Sequence, residues 1–147
     1  SWVAVSSNVG DTTQTITITG TDEYGVAMTE RKTLNGTTTV TGAKAFATVT
    51  QVAISAALAG NLTVGTATTL GLPVALQNAG QVLKEVQDGA AATAGTFAFA
   101  STVTPTNATA DVRGTYIPNS APDGSKVYML HVLLGDPGFR SNGGTQA

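Results

Sequence analysis

Between residues 15 and 30 the chain reads TITITGTDEYGVAMTE, and its first apolar positions recur every second residue. Ile16 and Ile18 fall on one side, Thr15, Thr17 and Thr19 on the other, which is the period of a half-buried strand. Gly20, Asp22 and Gly25 then mark a reversal. Glycine takes positive φ without steric cost, and an aspartate side chain bonds back to nearby backbone amides. The stretch predicts a β-hairpin with one apolar face and one threonine face. Such a hairpin needs a second sheet to cover its isoleucines.

The rest of the chain extends the pattern. Trp2, Val3 and Val5 form a short apolar segment with two readings: a first strand that tucks Trp2 into the core, or an N-terminal arm over residues 1–5 that anchors in a partner. Residues 26–34 form a strand with Glu30 and Lys32 at outer positions, followed by the turn signal Asn35-Gly36. Residues 45–57 are read as strand, with Phe46, Thr48, Thr50, Val52 and Ile54 on one face. A short strand follows at 62–64. Pro73, inside the apolar run 70–76, belongs at an edge or a bulge. Residues 81–88 fit one helical turn or a strand and are read as strand; 89–95 is a loop of small residues. Residues 96–103 alternate cleanly, with Phe97, Phe99 and Val103 inward. An irregular connection at 105–122 leads to Asp123-Gly124, then to 127–134, apolar on both faces as a central strand is, and to a tail at 135–147 that reads as a C-terminal arm. Seven to nine short strands with frequent turns predict an all-β chain: one antiparallel β-sandwich domain over residues 1–147, Greek-key or jelly-roll like, with terminal arms.

Composition narrows the function. Only 11% of residues are charged while 41% are hydrophobic, so the surface is mostly uncharged, and about one residue in six is threonine. A chain with ordinary hydrophobicity and a net charge of −2 folds. Arg31 and Lys32 are the only adjacent basic pair and the pI is about 5.1, which argues against a nucleic-acid partner. With no cysteine there is neither a disulfide framework nor a zinc-thiolate site. No basic, apolar leader opens the sequence and no apolar run approaches a bilayer span, so a soluble protein with no membrane partner is expected.

Candidate chemistry is sparse. His131 is the only histidine, on a face with Val127, Met129 and Leu133, and reads as a packed residue or one at a subunit contact. Asp22 and Glu23 are turn acids rather than a calcium loop, and the other carboxylates are scattered. No enzyme, cofactor or metal site is expected. Arg113, Tyr116, Phe139 and Arg140 lie in irregular segments that mix arginine with aromatic side chains, and with Trp2, Arg31 and Lys32 they are the candidate interface residues.

Three stretches, residues 15–30, 46–73 (FATVTQVAISAALAGNLTVGTATTLGLP) and 113–128 (RGTYIPNSAPDGSKVY), together resemble small virion proteins of tailed bacteriophages. They look most like the head decoration, or cement, proteins of short-tailed phages. The resemblance implies a jelly-roll or related β-sandwich subunit made in the host cytoplasm and carried on the outer capsid surface. Its partners would be the major capsid protein and itself, as a homodimer in preference to a homotrimer. It carries no functional residues over one by one. The charged Glu30, Arg31 and Lys32 depart from the polar, uncharged continuation expected there and suggest a capsid or dimer contact. The other reading of the sequence is a β-sandwich surface-recognition module, carbohydrate-binding or adhesin-like.

Overall fold

The computed structural model describes residues 1–100 and 111–134. Val103, Phe139, Arg140 and the tail at 135–147 lie outside them. The described part is all-β: twelve strands and one 3-10 turn, with the strands in four antiparallel three-stranded sheets. They fall into two compact units, one holding Ser1–Ala67 with Asp111, the other residues 68–100 and 112–134.

The first unit contains β1 (Trp2–Ser6), β2 (Thr15–Thr21), β3 (Ala27–Thr33), β4 (Val40–Thr41), β5 (Thr48–Ile54) and β6 (Leu62–Thr66). Its sheets run β4-β1-β6 and β3-β2-β5. The expected hairpin is present: β2 and β3 pair from Thr15 opposite Thr33 to Thr21 opposite Ala27. Asp22 caps its turn by accepting the Tyr24 and Val26 amides, each at 2.8 Å. Trp2 and Ala4 from one sheet and Ile16, Ile18 and Leu34 from the other segment of chain share one core.

The structure decides between the two readings of Trp2 and corrects three others. β1 is the middle strand of its sheet, so residues 1–5 are built into the fold and the strand reading of Trp2 is the one observed. Glu30 sits opposite Ile18 and therefore on the core face, not an outer one. Gly20 belongs to β2 rather than to the turn: a β-carbon there would collide with the Thr48 carbonyl, so glycine lets β5 come close. A register shift beside Gly20 breaks the alternation expected along β5. Val52 and Ile54 face the side of Ile18 and Ile16, but Thr48 pairs with Thr21, their hydroxyls 2.6 Å apart.

The second unit contains β7 (Leu70–Gly71), β8 (Val82–Gln87), β9 (Ala90–Ala91), β10 (Thr96–Phe99), β11 (Gly114–Ile117) and β12 (Tyr128–Val132). Its sheets run β10-β11-β7 and β12-β8-β9. The ambiguous segment at 81–88 is a strand, β8, entered from the single 3-10 turn Ala79–Gln81. Leu72, Leu76 and Tyr116 form the core, and Phe97, Phe99, Leu130 and Val132 pack against it. Phe97 stacks on Tyr116 with ring centroids 4.7 Å apart. β12 is an outer strand rather than a central one, so only its Leu130 and Val132 side faces the core.

Candidate functional site

Glu30 is the most buried charge in the first unit, at 0% exposure. Its Oε2 accepts the Trp2 indole N–H at 2.7 Å and the Lys44 amide at 3.1 Å, while Oε1 accepts the Ala43 amide at 2.7 Å. Gly42 makes this approach feasible, because a β-carbon there would strike the Trp2 ring and Glu30 Oε2. Lys44 is 1% exposed and Asp111 7%, and Asp111 Oδ2 accepts the Ala45 amide at 3.1 Å. Two carboxyl groups thus hold three consecutive amides on and around Lys44. Burial pushes the Lys44 ammonium below its ordinary pKa, against the opposing pull of Glu30 and then Asp111.

Two further carboxylates act as internal clamps. Asp11, also buried, accepts the Ser6 hydroxyl and the Ala59 and Gly60 amides, tying the end of β1 to the connection before β6. The Ser6 bond, followed by the Ala59 amide, holds its carboxyl below the usual range. Glu85 Oε2 accepts the Tyr116 hydroxyl at 2.7 Å and the Gly95 amide at 2.8 Å. Burial, with Glu85 alongside, raises the Tyr116 phenol well above its ordinary pKa.

The surface carries a different signal. β5 is exposed along its whole length and is the outer strand of its sheet. No charged residue stands between Lys44 and Lys84, so this edge lacks the charges that usually blunt one. In the second unit, β12 turns Met129, 54% exposed, and His131 outward, and Val127, Leu133 and Leu83 are exposed beside them. His131 is therefore on a solvent-facing apolar face and not packed.

Of the expected interface residues that are described, Trp2, Arg31 and Lys32 belong to the first unit and Arg113 and Tyr116 to the second. Trp2, at 4% exposure, and Tyr116 are core residues, the indole N–H donating to Glu30 and the phenol to Glu85. Arg31 is exposed, its Nε donating to Thr15 Oγ1 at 3.2 Å. Lys32 is half-buried with Nζ 3.8 Å from Glu30 Oε1, so it serves the internal cluster. Arg113 is half-buried just before β11. Sequence reasoning missed the Glu30, Lys44 and Asp111 cluster and the apolar outer face of β12. The alternation in 127–134 held the second of these, with both parities apolar and only one able to face inward.

A cavity of about 240 Å³ opens in the second unit beside Leu70, Leu72, Pro73, Tyr116, Tyr128 and Leu130. Among the described residues no three His, Cys, Asp or Glu side chains are grouped to hold a metal ion, and no helix is long and apolar enough to cross a membrane. No family model matches the chain, and neither a curated protein nor a solved structure matches it.

Proposed function

We propose that this chain is a structural virion protein that binds the outer surface of a phage capsid and cements neighbouring major capsid protein subunits. Cementing requires at least two contact surfaces, and no turnover of substrate. The observation that carries the reading is the presence of one such surface in each unit: the uncharged outer strand β5, and the apolar outer face of β12. Both support it alongside the sequence resemblance. An exposed strand binds by extending its sheet into a neighbouring chain, and an exposed apolar face binds by losing water.

In this reading the chain is one antiparallel β-sandwich domain of jelly-roll or Greek-key kind. The protein is made in the host cytoplasm and works on the virion, without nucleic-acid or membrane partners. It pairs with itself as a homodimer in preference to a homotrimer. A two-fold contact sets one surface patch against its own copy, and β5 has no charge to repel itself. Because cement binds the assembled lattice and not the free subunit, it stabilises the shell by mass action.

The test is co-sedimentation of the purified protein with undecorated capsids and with free capsid subunits. Saturable binding to shells with none to subunits is expected. Failure to bind any shell overturns the reading in favour of a surface-recognition module, carbohydrate-binding or adhesin-like. The cavity beside Tyr116 and Tyr128 favours that second reading, since aromatic walls suit sugar rings, and a glycan screen then decides it.

A further inference from the structure

β5 bonds to β2 on one side and, among the described residues, no strand pairs with its other side. The register shows which backbone groups that leaves open. Ile16 stands opposite Ile54 and Ile18 opposite Val52, and the Ser55 amide donates to the Thr15 carbonyl at 3.0 Å. Thr15 and Ser55 are therefore a hydrogen-bonded pair. Such pairs recur at every second residue of an antiparallel ladder, so Ala53 and Gln51 also turn their amides and carbonyls toward β2. Val52 and Ile54 turn theirs toward the open edge. Their side chains lie on the face of Ile18 and Ile16 but stay exposed, so the core face of the sheet continues uncovered to that edge. The occupant that fits is a second copy of the same strand. A two-fold contact sets every charge against its own kind, and no charge stands between Lys44 and Lys84. The opposite edge of the sheet, β3, carries Glu30, Arg31 and Lys32, which blunt it. β6, another uncharged outer strand, contains Gly65 and offers one exposed large apolar side chain, Val64, where β5 offers Val49, Val52 and Ile54.

We propose that two copies of this chain pair through β5, antiparallel about a two-fold axis beside Ala53, with Val52 of one copy opposite Ile54 of the other. The amides and carbonyls of Val52 and Ile54, open in a single copy, then bond to one another across the axis. On the core face, Ile16 and Ile54 of one copy line up with Val52 and Ile18 of the other, and symmetry repeats the row. A register moved by two residues, with Val52 opposite itself, would set Ile54 against Thr50 and break both rows. The register shift beside Gly20 bends the other end of β5, which confines the pairing to its regular end. The joined sheet has six strands with the charged β3 at both ends, so the contact closes at two copies. This inference rests on the part of the capsid reading in which the chain pairs with itself, and it needs no shell.

The experiment is sedimentation velocity of the full chain, followed by oxidative cross-linking through single cysteines on β5, since the chain has no cysteine of its own. The wild-type chain should be a dimer at about 100 μM, well above the micromolar affinity of a small specific contact. A monomer at that concentration overturns the proposal. Ala53→Cys should give a covalent dimer, because opposed β-carbons in a non-hydrogen-bonded pair lie about 5 Å apart. Gln51→Cys should not, because its two copies stand about 14 Å apart along the strands. Linkage through Gln51→Cys, or none through Ala53→Cys, overturns the register. Val52→Lys should raise the dimer Kd at least about tenfold, and an unchanged Kd places the contact elsewhere and overturns the proposal. If Val52→Lys does not fold, judged by Trp2 fluorescence, the cross-linking pattern decides. A dimer that binds no capsid shell overturns the cement reading and leaves this inference standing, while a monomer that binds shells does the reverse.

Discussion

Glu30 shows how much one side chain can organise when it is buried with its partners. It satisfies Trp2, Ala43 and Lys44 together, and removing it leaves an indole N–H, two amides and a lysine in a site too dry to replace them. Glu30→Ala is therefore expected to destabilise the first unit by about 3 to 5 kcal/mol, as loss of one partner of a buried charge cluster does. Urea titration checks this, and a loss under about 1 kcal/mol would mean that water reaches the cluster. Asp11 makes a pH prediction. Its carboxyl pKa is lower folded than unfolded, so the unfolded chain binds more protons, and its stabilising contribution is full above the ordinary carboxylate range and is lost as the pH falls through the folded pKa. Melting temperatures measured from neutral to acid pH should fall, and fall less steeply in Asp11→Asn. Equal slopes would remove Asp11 from the acid response. Glu30 also marks a limit of sequence reading. The alternation around it was plain, but which parity faces inward depends on its pairing with Ile18, and nothing local to residues 26–34 specifies that partner.

At the scale of elements, the strands were legible and their neighbours were not. The period of two marked β2, β5 and β10, because a strand's side-chain alternation is written in its own residues. Sheet order depends on distant segments, so the outer position of β12 and the central position of β1 were not readable. Asp88-Gly89, a two-residue reversal with both φ angles positive, joins β8 to β9; that dipeptide is a strong hairpin signal, which the division into a strand at 81–88 and a loop at 89–95 splits. The exposed elements give the next prediction. Val49 on β5 and Met129 on β12 are both more than half exposed, so Val49→Lys and Met129→Lys should each change stability by under about 0.5 kcal/mol. If these elements are the contact surfaces, each substitution should still lower occupancy on capsids at least about tenfold, the loss that about 1.4 kcal/mol of binding energy brings. Full occupancy in both variants, read by co-sedimentation, would separate these surfaces from capsid binding.

At the scale of the molecule, the described chain holds two cores that share no residue, one around Ile16 and Ile18 and one around Leu72 and Leu76. Each core is small, so each side chain in it matters. Ile18 is 1% exposed and Leu76 0%, and replacing either with alanine removes buried methyl groups and leaves a cavity. Ile18→Ala and Leu76→Ala should each cost about 2 to 5 kcal/mol. Substitutions without shared partners add to within about 0.5 kcal/mol, so the double variant should lose the sum. Chemical denaturation followed by Trp2 fluorescence, which reports the first core, and by hydrogen exchange of β8, β11 and β12 amides, which reports the second, checks both parts. With separate cores, Leu76→Ala should lower protection in β11 while leaving the Trp2 transition in place, and Ile18→Ala should do the reverse. A shared transition at every probe, with a coupling well above about 0.5 kcal/mol in the double variant, would show instead that the chain unfolds as one body. That result would also alter the cement reading, since a scaffold that melts as a unit transmits strain from one contact surface to the other, while two separate cores let each surface adjust to its own neighbour on the shell.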